Sequence, residues 1–196
     1  MDYLSNNCTF QLLTKDLSAS LADFSCEKEP EIQKFFRQEA LDYAQARMGS
    51  TYCFVNADRR VVAAFCVACA SVSTDEMPKS MRNKVNRNIP YIKQRETYPA
   101  ILLAQIAIDD RFVNMHVGDE LMGFIKYWIT RYASQIAGRF LVVDAINNAK
   151  VIDYYQRNSF RMVFASEEEE KEFCEIDAQQ PLKTRFMIAD LKLNTD

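Results

Sequence analysis

The chain has 196 residues, 48% of them apolar and 26% charged, with a formal net charge of −3. Those values describe a globular chain long enough to bury a core, and they exclude a protein drawn to nucleic acid or an anionic membrane by bulk charge. The longest apolar run, Val61 to Ala70, is too short to span a bilayer. The start MDYLSNN lacks the basic and apolar pattern of a leader, so a cytoplasmic protein is expected.

The predicted elements follow in chain order. Cys8 to Thr14 reads as a strand, and Lys15 to Pro30 as a polar, irregular segment. A helix over Glu31–Met48 follows from Ile32, Phe35, Phe36, Ala40, Tyr43, Ala44 and Arg47, which trace its buried face and edge, with Gly49 as its stop. Thr51 to Val55 and Val61 to Val72 read as strands joined by the turn residues Asn56 to Arg60, an antiparallel hairpin. Ser73 to Pro99 is a long excursion with a short helix. Lys79, Arg82, Lys84, Arg87, Lys93 and Arg95 there outnumber Asp75, Glu76 and Glu96.

The stretch from Ala100 to Tyr132 organises the chain. Ala100 to Ile108 is a run of apolar strand formers closed by Asp109 and Asp110, and Arg111 to His116 reads as a short irregular segment. Val117, Leu121, Phe124, Ile125, Trp128, Ile129 and Tyr132 then recur at helical spacing, and Gly138 closes that helix. Such a strand–turn–helix junction presents backbone N–H groups and the positive end of a helix dipole at one point, and can hold an anion without a charged side chain. Arg139 to Ala145 is a buried strand. Asn147 and Asn148 cap a helix over Ala149–Arg157, ended by Asn158 and Ser159. Phe160 to Phe164 is a strand, Ser166 to Asp177 an acidic exposed loop or helix, and Arg185 to Leu191 a final strand. This order fits a mixed sheet covered by helices, with parallel connections around the central strand.

The six cysteines lack framework spacing and are expected to be reduced thiols. Cys66 and Cys69 match C-x-x-C, but they lie in a strand, where positions i and i+3 face opposite sides. The chain's one histidine, His116, leaves no partner set for zinc. Packing thiols are expected, and no metal.

The element order, with an apolar strand leading through a turn into a long helix, resembles the GNAT superfamily of acyl-CoA N-acyltransferases. The likeness covers most of the chain. It is strongest at Tyr98 to Leu121, where Ile106-Ala-Ile-Asp-Asp-Arg-Phe112 looks like the family's fourth strand, and at Asp144 to Phe164, where Tyr154-Tyr155 precedes Ser159-Phe160. The resemblance implies a single GNAT-like domain over residues 1–196, a mixed and mostly antiparallel α/β sheet with helices on both faces, and acetyl-CoA as cosubstrate. It implies that the backbone of Ile106, Ala107 and Ile108 pairs with the pantetheine amides. The turn Val113, Asn114, Met115, His116, Val117 and Gly118 would cradle the pyrophosphate, and Asn148 would lie near the pantetheine arm. Tyr155 would return a proton to the leaving thiolate, a role that suits a positioned weak acid. The family's turn carries Gln or Arg, then Gly, then Gly or Ala where this chain has Val113, His116 and Gly118. Only the last matches, and Asn114 replaces a frequent glycine.

The acceptor implied is a primary amine, on a small molecule or a protein. The basic excursion also resembles the toxin-like branch that acetylates aminoacyl-tRNA, which makes tRNA a second possible partner. A third reading is a non-enzymatic GNAT-like binding domain whose altered turn has lost the coenzyme. For the general base, Asp109, Asp110, Glu39 and Asp42 remain open candidates, as does a water chain.

Overall fold

The computed structural model describes residues 3–87, 89–90, 97–131 and 138–194. Lys93, Arg95, Glu96 and Tyr132 of the sequence reading lie outside them. The architecture is a mixed α/β fold with a seven-stranded sheet in the order β1-β2-β3-β4-β5-β7-β6. The strands are β1 (Cys8–Leu12), β2 (Ser50–Asn56), β3 (Val61–Ser73), β4 (Thr97–Ile108), β5 (Phe140–Ile146), β6 (Arg161–Met162) and β7 (Thr184–Asp190). The β4–β5 pair is parallel and the pairs β1–β2, β2–β3, β5–β7 and β6–β7 are antiparallel. The mixed, mostly antiparallel GNAT-like sheet expected from the sequence is therefore present.

The chain divides into two compact units, Met1–Cys69 with Leu103–Trp128, and Ala70–Leu102 with Ile129–Asp196. In the first, α1 (Tyr3–Asn7) precedes β1, and the β2–β3 hairpin turns at Asn56–Arg60. Asn56 Oδ1 accepts from the Arg60 N–H at 2.9 Å, and Arg59 takes the left-handed φ of 61° that closes the turn. Aromatic side chains of β1, β2 and β3 pack on α6 (Val117–Arg131): Phe10 lies 4.7 Å from Phe124, and Tyr52 4.5 Å from Trp128, between ring centroids. A separate core holds Leu17, Leu21, Phe24, Phe35, Phe36 and Cys53.

Two details of this unit differ from the sequence reading. The polar segment after Thr14 is structured, with α2 (Lys15–Ser18) capped by the Thr14 hydroxyl and a 3-10 turn over Ala19–Leu21. Its sparse apolar residues, Leu17, Leu21 and Phe24, all enter the core. The single helix expected over Glu31–Met48 is α3 (Pro30–Lys34), a π turn (Phe35–Glu39) and α4 (Ala40–Gln45). The widened turn accompanies burial of both Phe35 and Phe36, whose rings meet edge-on at 5.3 Å. The helix stops at Arg47, with φ 57°, where the Met48 N–H reaches the Tyr43 carbonyl at 3.0 Å. Gly49 is needed for another reason: a Cβ there would sit 2.8 Å from the Cys66 Sγ.

In the second unit, α5 (Lys79–Asn86) buries Met81 and Val85 in a core with Val72, Tyr98, Phe140, Val142, Phe164 and Ile188. Arg139 and Asp190 join the start of β5 to the end of β7 at 2.7 Å. The helices α7 (Ala149–Arg157) and α8 (Glu167–Phe173) follow β5 and β6. The acidic segment is only partly exposed. Glu170 is buried, accepts from Arg185 Nε at 2.5 Å and from the Phe186 N–H at 2.7 Å, and anchors α8 to β7. The segment ends at Glu175, another left-handed residue, with φ 56°. Of the strand expected over Phe160–Phe164, two residues pair as β6. Gly138 abuts Ile101, whose Cδ1 is 2.7 Å from the place of a Cβ.

Candidate functional site

In the first unit, β4 delivers Ile106, Ala107 and Ile108, all half-buried, to Asp109, which is completely buried. A carboxylate survives there because donors surround it. Arg111 Nε and Nη2 reach it at 2.6 and 2.7 Å, and the N–H groups of Ser25 and Arg111 each at 3.0 Å. Burial alone raises such a carboxyl's pKa; the Arg111 and backbone hydrogen bonds outweigh it and hold Asp109 below the ordinary range. The same Arg111 extends to Asp23 Oδ2 at 3.1 Å. Asp110 accepts from the Ser25 hydroxyl at 2.8 Å and the Glu27 N–H at 2.9 Å.

The segment read as irregular is a 3-10 helix, Asp110–Met115, with Asp109 as its N-cap. The cap is the physical reason, since its carboxylate fixes the Arg111 N–H at the first turn. His116 follows in the left-handed conformation, φ 55° and ψ 24°, and α6 begins at Val117. Phe112 and Val117 point inward and pin the turn, while Val113 and Met115 are about half exposed at 51% and 47%. Residues 113–118 contain no lysine or arginine, and the preceding Arg111 is bound to two aspartates. The groups at this turn that could hold an anion are therefore the backbone N–H groups, the start of a 15-residue helix and the His116 side chain.

In the second unit, Asn148 is the N-cap of α7, its side-chain oxygen accepting from the Lys150 N–H at 2.9 Å. Tyr155 is buried on α7, with its ring edge-on to Tyr154 at 5.3 Å and to Phe160 at 5.2 Å. Burial pushes its phenol well above the ordinary tyrosine range, so it keeps its proton. The helix closes at Ser159, φ 66°, as the Phe160 N–H reaches the Tyr155 carbonyl at 3.0 Å. This Ser159-Phe160 pair stands where the resemblance places Gly-Phe.

The structure thus gathers Ile106–Ile108 and the turn 113–118 in one unit, and Asn148 and Tyr155 in the other. Of the base candidates, Asp109 and Asp110 are occupied by donors, and Glu39 pairs with Lys34 at 2.6 Å. The brace formed by Asp23, Ser25 and Arg111 escaped the sequence reading, because its partners lie more than 80 residues apart. Cys66 is buried and Cys69 exposed, as strand alternation requires. Among the described residues no group of three or more His, Cys, Asp or Glu is placed to hold a metal, and no helix is long and apolar enough to cross a membrane.

No protein-family model and no curated protein sequence matches the chain. Solved structures do. A tyrosine-to-phenylalanine mutant of KacT superposes with a TM-score of 0.71 at 16% identity, over 96% of this chain and 98% of that one. A tyrosine-to-phenylalanine mutant of the AtaT toxin, bound to the C-terminus of the antitoxin AtaR and acetyl-CoA, gives 0.68 at 14% identity over 96% of both chains. AtaT complexed with acetyl-methionyl-tRNAfMet gives 0.61 at 18% identity, over 83% of this chain and 92% of that one. Across nearly its whole length, the chain has the GNAT-like fold of these toxins.

Proposed function

We propose that the protein is an acyl-CoA-dependent N-acyltransferase of the cytoplasm, one domain over residues 1–196 that moves an acetyl group from acetyl-CoA to a primary amine. The observation that carries this reading is the junction of β4 with α6. An extended strand ends in a capped 3-10 turn, a left-handed residue and a helix start, a combination that suits a diphosphate followed by an amide-bearing arm. The fold shared with an acetyl-CoA complex supports the choice of cosubstrate.

The fit rests on backbone. The N–H groups at the start of α6, around His116 and Val117, are assigned to the diphosphate, since the first turn of a helix leaves its N–H groups without intrahelical partners. The left-handed His116 permits that approach, although its side chain narrows the space that glycine leaves open. In the first unit Ile106, Ala107 and Ile108 offer strand hydrogen bonds to the pantetheine amides, and from the second unit Asn148 is assigned a polar contact with the coenzyme. Backbone N–H groups polarise the thioester carbonyl. Tyr155 holds a proton at its phenol oxygen and delivers it to the departing sulfur.

Two observations favour aminoacyl-tRNA as the amine. One of the structures sharing the fold is complexed with acetyl-methionyl-tRNAfMet. On this chain, α5 buries one side and leaves Lys79 and Lys84 exposed, with Arg87 exposed just beyond its end.

Calorimetric titration with acetyl-CoA and with CoA tests the cosubstrate. Transfer of labelled acetyl to glycinamide, a lysine peptide and charged total tRNA tests the acceptor. Saturable binding with transfer to at least one of these supports the reading. No binding at millimolar coenzyme rejects it and leaves a GNAT-like binding domain.

A further inference from the structure

We propose that the outer edge of β1 is a twofold interface, where two copies of this chain pair antiparallel about Phe10 and each places Leu12 in a cavity of the other. The interface lies within the first unit and is independent of the reaction catalysed.

β1 is the end strand of the sheet, with β2 on one side and no described strand on the other. Edge strands are ordinarily blunted by charge, proline or a bulge. The stretch from Cys8 to Thr14 has neither a charged residue nor a proline, and β1 runs against β2 without a shift of register. Leu13 donates its N–H to the Thr51 carbonyl at 2.8 Å. Antiparallel pairs alternate in this respect, so Thr9 and Gln11 also bond to β2. The N–H and C=O groups of Cys8, Phe10 and Leu12 therefore face the open edge.

Beside that edge, α1, β1 and α6 border a cavity of about 470 Å³, with Leu4, Phe10, Phe124 and Tyr127 on its walls. Gly123 also lines it. A glycine in mid-helix is unfavourable relative to alanine, and here no neighbour demands it: a Cβ would meet nothing within 4 Å. The missing side chain leaves the cavity open.

The exposed apolar side chains match this cavity. Cys8, Phe10 and Leu12 share one face of β1, the face that packs on α6 through Phe10 and Phe124. The cavity lies at the Cys8 end of the strand. Leu12 stands at the opposite end and is 51% exposed, and Tyr127 on the cavity wall is 53% exposed. A twofold axis at Phe10 exchanges the two ends. Phe10 then opposes Phe10, and Cys8 opposes Leu12 on both sides of the axis. The edge-facing groups of the two copies meet as hydrogen-bonded pairs, and Leu12 enters the cavity beside Cys8 and Gly123. A slip of one residue would set edge-facing groups against groups already bonded to β2.

Charge also fits a second copy. With nothing charged between Cys8 and Thr14, the axis brings no like charges together. The next residue, the exposed Lys15, is carried toward Ser5 of the other copy, and the Ser5 N–H is held by the Glu120 carboxylate at 3.0 Å. Size sets the strength. A five-residue strand pair alone covers less than the roughly 800 Å² per partner of a standard interface. Leu12 in the cavity and Tyr127 at its rim add apolar contact, and a micromolar dimer is expected.

Sedimentation equilibrium of the full chain through the micromolar range should show monomers giving way to dimers. Leu12→Lys puts a cation at the cavity from an exposed position, and Gly123→Leu fills the cavity from within the helix. Each should weaken dimerisation about tenfold or more. Gly123→Leu should melt no lower than wild type at a concentration where both are monomeric, which separates loss of the interface from loss of the fold. Leu12→Cys reports the register, in a background carrying Cys69→Ser and Cys174→Ser. Opposite residues of a hydrogen-bonded antiparallel pair lie about 5.5 Å apart at Cα, inside the disulfide range of roughly 4.4–6.8 Å. Oxidised glutathione should therefore link the new thiol to Cys8 of the other copy, as mapped by mass spectrometry of unreduced peptides. A wild type that stays monomeric throughout overturns the proposal, and so does a dimer that either cavity variant leaves intact. A cross-link to any other cysteine, or none, overturns the register about Phe10.

Discussion

Arg111 holds Asp109 by two parallel hydrogen bonds, Nε to Oδ1 at 2.6 Å and Nη2 to Oδ2 at 2.7 Å. The acceptor is fully buried and the donor's side chain is 36% exposed. Removing the carboxylate strands the Ser25 and Arg111 N–H groups as well as the guanidinium. Asp109→Ala is expected to cost about 3 kcal/mol, the low end for a broken buried pair because Arg111 still reaches water. The sign with pH follows from the lowered folded pKa. The contribution is complete above the unfolded aspartate value of about 3.9, and it is lost as pH falls through the lower folded value. Urea unfolding of both proteins at pH 7 and pH 3 will show a gap that narrows in acid.

His116→Gly should do two things at once. A left-handed non-glycine residue costs about 1 kcal/mol, so the variant is expected to be as stable as wild type or slightly more stable. It also clears the space above the junction, and acetyl-CoA binding should tighten severalfold by calorimetry. Weaker binding would mean that the imidazole itself contacts the diphosphate.

Tyr155→Phe keeps the ring that packs on Tyr154 and Phe160. The melting temperature and acetyl-CoA affinity should stay close to wild type while turnover drops by about 100-fold. Unchanged turnover removes Tyr155 from the chemistry.

Asp144→Asn should stabilise the fold, in contrast to most substitutions of charged strand residues. A carboxyl raised in the folded state weakens stability as pH climbs from the unfolded value through the folded one, and that loss persists above it. The neutral amide escapes it. Thermal unfolding should show the variant melting above wild type at pH 7 and level with it at pH 3.

Thiol titration reads the strand faces directly. Cys69 and Cys174 are exposed and should react quickly with a disulfide reagent in the native state. Cys53 and Cys66 are sealed by packing, and burial raises Cys8 and Cys26 to about 11 and Cys53 to about 12. All six should react after unfolding.

The central strand, the turn and the long helix were legible because their signals are local. An apolar run ends at paired aspartates, and helical spacing resumes at Val117. The hairpin at Asn56 and the cap at Asn148 were legible for the same reason. What escaped depends on partners distant in sequence. Nothing around Glu170 distinguishes it from its acidic neighbours until Arg185 folds beside it. The π turn at Phe35 is invisible to a 3.6-residue pattern, which fits the segment almost as well. For the candidate site, the position of the turn was readable. That Asp109 is a strut and not a free base was not, because Ser25 lies 84 positions away.

The chain has only four glycines, and none of those described has positive φ. Arg47, Arg59, His116, Ser159 and Glu175 make the left-handed turns instead. Each forgoes about 1 kcal/mol, and five such positions together rival the stability margin of a whole small domain. The protein therefore holds an unspent reserve: glycine or asparagine at the four positions outside the junction would raise its melting temperature nearly additively, as expected of separate sites. Such a hardened background would tolerate the destabilising site variants that a thorough dissection of its chemistry requires.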